Sequence, residues 1–273
     1  MNELTHVMLW PFLACLAMTG IHAYLGMHVI ERQVIFVDLA LAQIAVLGSA
    51  FALLAGWSHD GKEAYLLSLV CTLAGAAVFA LTRFKEQKIP HEAIIGIVYA
   101  VAASLLVILL SRSGEGDEHI REALVGNILL VDKKEVLKIS GIYAAVGIFH
   151  FIFRQKFLMI SRNPVEAYRQ RIKVRLWDFL FYVSFGLVVT SSVKIAGVLL
   201  VFSLLIIPAS AAVLLAEVVQ ARLIWGWIIG AIGCVLGIIF SYYGDFPTAA
   251  SVVCALALIL FLVGFFKRFV GAR

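Results

Sequence analysis

The stretch Lys194–Ala216, KIAGVLLVFSLLIIPASAAVLLA, decides the fold class that this sequence predicts. A helix needs about 20 mostly apolar residues to cross the hydrocarbon core of a bilayer, and this stretch supplies them. Pro208 removes a backbone donor, so the carbonyl one turn earlier needs another partner inside the membrane. Small residues follow the proline, Ser210 among them, and these allow a neighbouring backbone to approach closely. The stretch therefore predicts a bent inner helix that is packed on several sides.

The composition extends this interpretation to the whole chain. Of the 273 residues, 63% are hydrophobic and 14% are charged, whereas a soluble domain has about 25% charged residues. The sequence predicts an all-α polytopic membrane protein with a single transmembrane domain over residues 1–273. Its net charge of +5 comes from basic residues clustered in a few short loops, as membrane topology requires, and does not indicate a nucleic-acid partner.

Apolar runs predict about nine transmembrane helices. Their expected ranges are 7–29, 34–57, 64–82, 93–111, 137–153, 176–192, 195–216, 223–243 and 247–266. The first run is too long for the apolar core of a signal peptide, so we expect a retained helix.

Loop charge predicts the orientation of these helices. The loop 154–175 has seven basic residues against Glu166 alone, and the loop 83–88 has three against one acid. The loop 112–135 has six acidic residues against four basic ones. Basic loops remain in the cytoplasm. We therefore expect a multi-pass protein of the cell inner membrane with its N-terminus outside and its C-terminus in the cytoplasm.

Asp38 is the strongest candidate for a chemical role. It lies within the predicted second span, and a charge inside a membrane helix usually faces a cavity or a pathway. The alternative is a structural aspartate that caps the helix or pairs with Arg32. Gln43 lies about 140° around the same helix. His22, in the first span, is expected either to bind a metal or to be a hydrogen-bonded structural histidine.

A short cytoplasmic helix is predicted within the segment 161–175. Asn163 is a suitable cap and Pro164 suits the first helical position. A helix this short is unstable alone, so docking on a partner is a reasonable use for it. The chain has neither a GxxxxGK[ST] phosphate loop nor a catalytic constellation. We therefore expect that the chain does not hydrolyse ATP itself and is not an enzyme.

These residues resemble those of a known family. Glu31–Gly48, Ser161–Ile172 and Val193–Ala216 are similar to the permease subunits of zinc/manganese ATP-binding-cassette (ABC) importers, which have the type II importer fold. Weaker similarity occurs at 124–131 and 245–248. The resemblance implies that the second stretch is a coupling helix that inserts into the ATPase. The residues that would carry coupling are Pro164, Glu166, Ala167 and Arg171.

Two positions depart from the family pattern. Ala42 stands where many members have a histidine one turn after the aspartate, and Arg171 stands where they usually have a glycine. If the first two helices pack side by side, His22 replaces the missing ligand. A site built from Asp38 and Gln43 without a histidine would be rich in hard oxygen ligands, which suit Mn²⁺ better than Zn²⁺.

The resemblance implies a homodimeric permease that imports divalent metal ions, with no permanently bound cofactor. As a transport subunit it would use ATP only through its partner, an ABC ATPase subunit. Its other partners would be an extracytoplasmic solute-binding protein and membrane lipid. The first alternative keeps the importer but changes the cargo to a metal chelate or a cobalamin-like compound. The second is a secondary transporter driven by an ion gradient, although such proteins usually show two related halves with intramembrane charges in both. A membrane scaffold or sensor that transports nothing is a third alternative.

Overall fold

The computed structural model describes residues 3–58, 61–83, 89–111 and 123–270, and almost all of them are helical. The helices are α1 Glu3–Arg32, α2 Val37–Leu54, α3 Lys62–Leu81, α4 His91–Leu110, α5 Lys133–Ile152, α6 Arg154–Arg162, α7 Pro164–Arg169, α8 Val174–Leu215, α9 Val219–Gly244 and α10 Thr248–Val270. A 3₁₀ helix covers Ile128–Leu130. No strand occurs in these ranges.

Within the described ranges, eight helices are long and apolar enough to cross a membrane. Many of their apolar side chains are exposed, such as Val70 at 58% and Ile97 at 63%, which suits helices surrounded by lipid. The sixth and seventh predicted spans correspond to two helical segments within α8 that are separated by a break at Gly197. The boundary predicted between these spans, at residues 193–194, thus lies next to an observed break.

The break in α8 depends on two glycines. Gly197 has φ +73° and Gly126 has φ +66°, a left-handed backbone that glycine adopts at little cost. Their backbones touch, so a side chain on either would overlap the other segment. Beside them, the Asn127 N–H donates to the Ile195 carbonyl at 3.2 Å. The non-helical residue that the structure shows inside α8 is Gly197 rather than Pro208.

The chain divides into two compact units. The first contains Met1–Ile30, Leu124–Ala145 and Lys194–Arg273, and the second contains Glu31–Ala123 and Val146–Val193. Each unit is therefore built from separated parts of the sequence. The prediction of a single transmembrane domain stays a prediction.

Small residues bring the helices of the first unit together. Gly26 of α1 lies directly against the Leu205 carbonyl of α8, with the Ala209 side chain next to it. On α9, Gly230 packs on Thr19, and Gly237 packs on the backbone of Val252 in α10. The close approach of a neighbouring backbone near Pro208, expected from the sequence, is thus present.

In the second unit, α2 packs against α3 and α4. Gly48 of α2 lies against the backbone of Ser68 in α3. The Thr72 and Thr190 hydroxyls are 3.0 Å apart and join α3 to α8. Close packing and buried hydroxyl pairs are the main means of helix association in lipid, where the hydrophobic effect between helices is absent.

Residues 123–131 do not form one continuous helix. Residues 120–122 lie outside the described part of the chain, residues 123–125 are helical, and the backbone then turns at Gly126 before the 3₁₀ helix. At this turn Gly126 has φ +66° and packs directly on the Gly197 backbone.

Candidate functional site

Asp38 lies in the first turn of α2, because that helix begins only at Val37. The expectation that Asp38 lies well inside the span is therefore wrong. Gln33, at φ +55°, and the turn that follows it separate α1 from α2. The position is favourable for a carboxylate, since the amino end of a helix carries partial positive charge.

The Asp38 carboxylate is buried and has no polar partner in the part of the chain that the structure describes. The residue is 1% exposed, and neither Oδ1 nor Oδ2 has a hydrogen-bond partner among the described residues. An unpaired buried carboxylate is unfavourable for stability, so such a group usually has a function. Two unused carboxylate oxygens are ligands of the kind that hard divalent cations prefer.

Gln43 follows on the same helix and is 6% exposed. Five positions separate it from Asp38, so the two side chains leave α2 about 140° apart. Ala42, at the position where the resembled family often has a histidine, is also buried. Asp38 and Gln43 thus share a helix but not a face.

His22 lies in the first unit and is fully buried. Its Nδ1 is 2.8 Å from the Met18 carbonyl, and its ring packs edge-on against Tyr143 at 6.1 Å between centroids. Asp38 belongs to the second unit, so the replacement of the missing histidine by His22 stays a prediction.

Metal-binding groups are sparse within each unit. The side chains described there form no group of three or more histidine, cysteine, aspartate and glutamate residues placed to hold a metal ion.

A buried ion cluster involves a residue that the sequence analysis did not single out. Asp178 Oδ1 accepts hydrogen bonds from Arg32 Nη1 and Arg83 Nη1, each at 2.7 Å. Arg32 Nε also donates to the Ser161 hydroxyl at 2.8 Å, and its guanidinium lies 3.9 Å from the centroid of the Phe181 ring. Arg32 is thus paired with Asp178 and not with Asp38, the partner considered as an alternative. The sequence does contain a sign of this role, because Asp178 is an acidic residue inside the apolar run LWDFLFYV.

Glu92 fixes the start of α2. It lies in the first turn of α4, and its Oε1 accepts a hydrogen bond from the Phe36 backbone N–H at 2.9 Å. Phe36 is the residue before α2, and its side chain makes no capping hydrogen bond. Glu92 therefore supplies from a neighbouring helix the cap that α2 lacks, two residues before Asp38.

The predicted coupling segment, residues 161–175, contains the end of α6, the whole of α7 and the start of α8. The Asn163 side chain accepts from the Glu166 N–H at 3.1 Å, and Pro164 occupies the first turn of α7. The cap and the start of this short helix are therefore confirmed. Helix α6 was not predicted, although its buried Phe157 and Ile160, one turn apart, show the apolar side that forms it.

Helix α7 is held on the rest of the unit by Ala167. This residue is fully buried with Ile160 and Val174. Glu166 lies on the exposed side, where it pairs with Arg169 at 3.2 Å. Arg171, just past the helix, has φ +55°. That backbone is strained for arginine and natural for glycine, the residue usual at this position in the resembled family.

The inner-helix candidates lie in α8 within the first unit. Pro208 is buried and Ser210 is half-buried. The bend predicted at Pro208 stays a prediction, and a separate break with a left-handed backbone lies at Gly197, where the backbone touches Gly126. Pro208 is accommodated within the helix beside the small residues that follow it.

Membrane-length helices make up most of the described chain, which places it among multi-pass membrane proteins. More narrowly, the chain belongs to the ABC 3 transport family, which matches residues 5–268. The resemblance to ABC permease subunits that the sequence indicated is thereby confirmed.

Individual relatives agree with this assignment. The manganese transport system membrane protein MntC of Listeria innocua is 29% identical over 70% of this chain and 71% of its own length. A probable iron transport system membrane protein of Haemophilus influenzae is 24% identical over 94% of this chain and 89% of its own length.

A solved structure supports the fold. PsaBC from Streptococcus pneumoniae, determined in complex with Fab, superposes with a TM-score of 0.78 at 22% identity, covering 94% of this chain and 91% of that chain. The predicted fold class, an all-α membrane protein similar to ABC importer permeases, is confirmed.

Proposed function

We propose that this chain is the permease subunit of an ABC importer for divalent metal ions, with Mn²⁺ as the favoured cargo. The observation that carries the proposal is the buried Asp38 carboxylate, whose two oxygens have no partner among the described residues. A relative named for manganese transport supports the cargo class. Asp38 would coordinate the ion transiently, weakly enough to release it.

The choice of Mn²⁺ over Zn²⁺ rests on ligand chemistry. Ala42 stands in place of the histidine that would give the site a nitrogen ligand one turn after Asp38. Carboxylate and amide oxygens suit Mn²⁺, whereas imidazole and thiolate suit Zn²⁺. Iron is the second candidate, because a relative covering 94% of this chain is named as a probable iron transport protein. His22 is the candidate nitrogen ligand.

Coupling to ATP would occur through α7. The short helix presents exposed Val165 and the charged pair Glu166–Arg169 while Ala167 anchors it. A separate ATPase pair would dock on this surface, and its ATP cycle would switch the path between outward and inward access. An extracytoplasmic binding protein would deliver the ion, and two copies of the chain would enclose the path. The N-terminus would lie outside and the C-terminus in the cytoplasm, as loop charge predicts.

The experiment is an elemental assay in cells that lack their own metal importers. Cells expressing the chain with its candidate ATPase are compared with cells carrying Asp38→Asn, which removes the charge with little change of shape. Glu217→Gln, a change at an exposed acid, is the matched control. Accumulation of Mn, lost in Asp38→Asn and kept in Glu217→Gln, supports the proposal. Fe accumulation with the same pattern favours the second candidate. If no metal accumulates although the complex assembles, the cargo is not a metal ion.

A further inference from the structure

The ends of α1 and α6 are joined by two adjacent contacts in the second unit. Arg32, the last residue of α1, donates from Nε to the Ser161 hydroxyl at 2.8 Å. Glu31 lies 3.9 Å from Arg162, the last residue of α6. A single residue, Asn163, separates α6 from the predicted coupling helix α7. The end of α1 is therefore attached to the segment that leads directly into α7.

On its other side, Arg32 leads into the turn that precedes Asp38. Gln33 has φ +55°, a left-handed backbone that is unfavourable for a residue with a side chain. Such strain persists only where the surroundings fix it. Two polar contacts bound this turn, those of Arg32 at its start and the Glu92 cap on the Phe36 N–H at its end. Asp38 follows in the first turn of α2, so its position depends on both contacts.

The pairing of Arg32 with Asp178 leaves one atom of each side chain unused. Arg32 Nη1 meets Asp178 Oδ1, which also accepts from Arg83. Arg32 Nη2 and Asp178 Oδ2 are buried and have no hydrogen-bond partner among the described residues. A guanidinium and a carboxylate pair most strongly when two nitrogens meet two oxygens. The same two side chains therefore have a second arrangement available, and movement of one helix end relative to the other would select between the two.

We propose that Arg32 is a positioning residue that transmits movement of the coupling segment to Asp38. This inference rests on the proposed function, in which an ATPase docks on α7 and Asp38 holds the ion. When the ATPase shifts the end of α6, the Ser161 hydroxyl moves with it and Arg32 changes its pairing with Asp178. The turn at Gln33 then moves the start of α2. All of these residues belong to one compact unit.

The test variant is Ser161→Ala. It removes the acceptor for Arg32 Nε and leaves the ion pair of Arg32 with Asp178 in place. The matched control is Ser251→Ala. Ser251 is buried to the same degree, at 4% exposed against 3% for Ser161, but its hydroxyl makes a local contact with the Pro247 carbonyl at the start of α10.

The first measurement is amide hydrogen exchange in the purified full chain, alone and with its ATPase bound together with a non-hydrolysable ATP analogue. The reporters are the amides of Phe36 and Val37. They are hydrogen-bonded to the Glu92 carboxylate and to the Val34 carbonyl, respectively. In Ser161→Ala these amides should exchange about tenfold faster, which corresponds to about 1.4 kcal/mol. Binding of the ATPase should change their exchange in the unmodified chain and not in Ser161→Ala.

The second measurement compares Mn²⁺ uptake with ATP hydrolysis in proteoliposomes. Ser161→Ala should lower uptake about tenfold while hydrolysis is largely kept, so that fewer ions are carried for each ATP. A purely structural defect would reduce the amount of assembled complex and lower both rates together. Ser251→Ala should leave the ratio of ions to ATP unchanged.

Several results would overturn the proposal. Equal exchange at Phe36 in Ser161→Ala and Ser251→Ala would show that Arg32 does not hold the turn. No change on ATPase binding in the unmodified chain, or a change that persists in Ser161→Ala, would exclude this route to Asp38. Parallel losses of uptake and hydrolysis would make Ser161 a structural residue only. If the unmodified chain carries no Mn²⁺, the proposed function fails, whereas the exchange measurement still decides whether Arg32 connects α6 to α2.

Discussion

Arg32 and Asp178 form a fully buried ion pair, with Arg32 Nη1 2.7 Å from Asp178 Oδ1. Arg83 reaches the same oxygen, also at 2.7 Å. One aspartate thus connects the end of α1, the residues after α3 and the first turns of α8. Ser161, at the end of α6, is attached to the cluster through Arg32. The segment that precedes α7 is therefore fixed to three transmembrane helices by a single network of polar contacts.

The first prediction concerns this cluster. Asp178→Asn should destabilise the protein by about 3–5 kcal/mol, because it leaves two arginines without their counter-charge in a buried place. Equilibrium unfolding in mixed micelles measures the effect. The control is Glu31→Gln, which alters a partly exposed pair with Arg162 at 3.9 Å and should change stability by less than about 1 kcal/mol. Equal effects of the two substitutions would show that the buried cluster contributes no more to the free energy of unfolding than a surface ion pair does.

The second prediction tests the contact of α1 with α8. Gly26→Ala should destabilise the protein by about 1–3 kcal/mol, because the new methyl group would overlap the Leu205 carbonyl. Gly20→Ala is the matched control on the same helix, since nothing lies within 4 Å of a side chain added there. Thermal unfolding in detergent compares the two variants. An unchanged unfolding temperature for Gly26→Ala would refute the close contact.

The third prediction concerns the residue after α7. Arg171→Gly should raise stability by up to about 1 kcal/mol, because glycine adopts φ +55° without the strain that arginine has there. Arg175→Gly is the control. It changes an arginine in the first turn of α8 and should lower stability by about 0.5–1 kcal/mol. Both variants are measured by denaturant unfolding, and a loss of stability in Arg171→Gly would mean that its side chain makes contacts that outweigh the strain.

Much of the fold could be predicted from the sequence because membrane helices leave a strong local signal. Apolar runs located the spans, and a capping asparagine followed by Pro164 located the start of α7. These features depend on residues close together in the chain. A membrane helix makes its backbone hydrogen bonds within itself, and a helix cap involves only adjacent residues, so neither requires contacts with distant parts of the chain.

The features that sequence reasoning missed depend on contacts between distant segments. The cap of α2 comes from Glu92, and the partner of Arg32 is Asp178, neither of which is close in sequence. The break in α8 lies at Gly197 because Gly126 packs against it. Nothing local distinguishes Gly197 from other helical glycines. For the same reason the sequence did not show that α2 begins at Val37, which moves Asp38 into a first turn.

The most direct test of the central claim is ATP-driven Mn²⁺ uptake into proteoliposomes that contain the chain with its ATPase and binding protein. The account predicts uptake by the unmodified chain and by Glu217→Gln. In Asp38→Asn it predicts a loss of at least about tenfold, while the complex remains assembled and ATP is still hydrolysed. Undiminished Mn²⁺ uptake in Asp38→Asn would contradict the account, because the buried carboxylate would then have no part in carrying the ion.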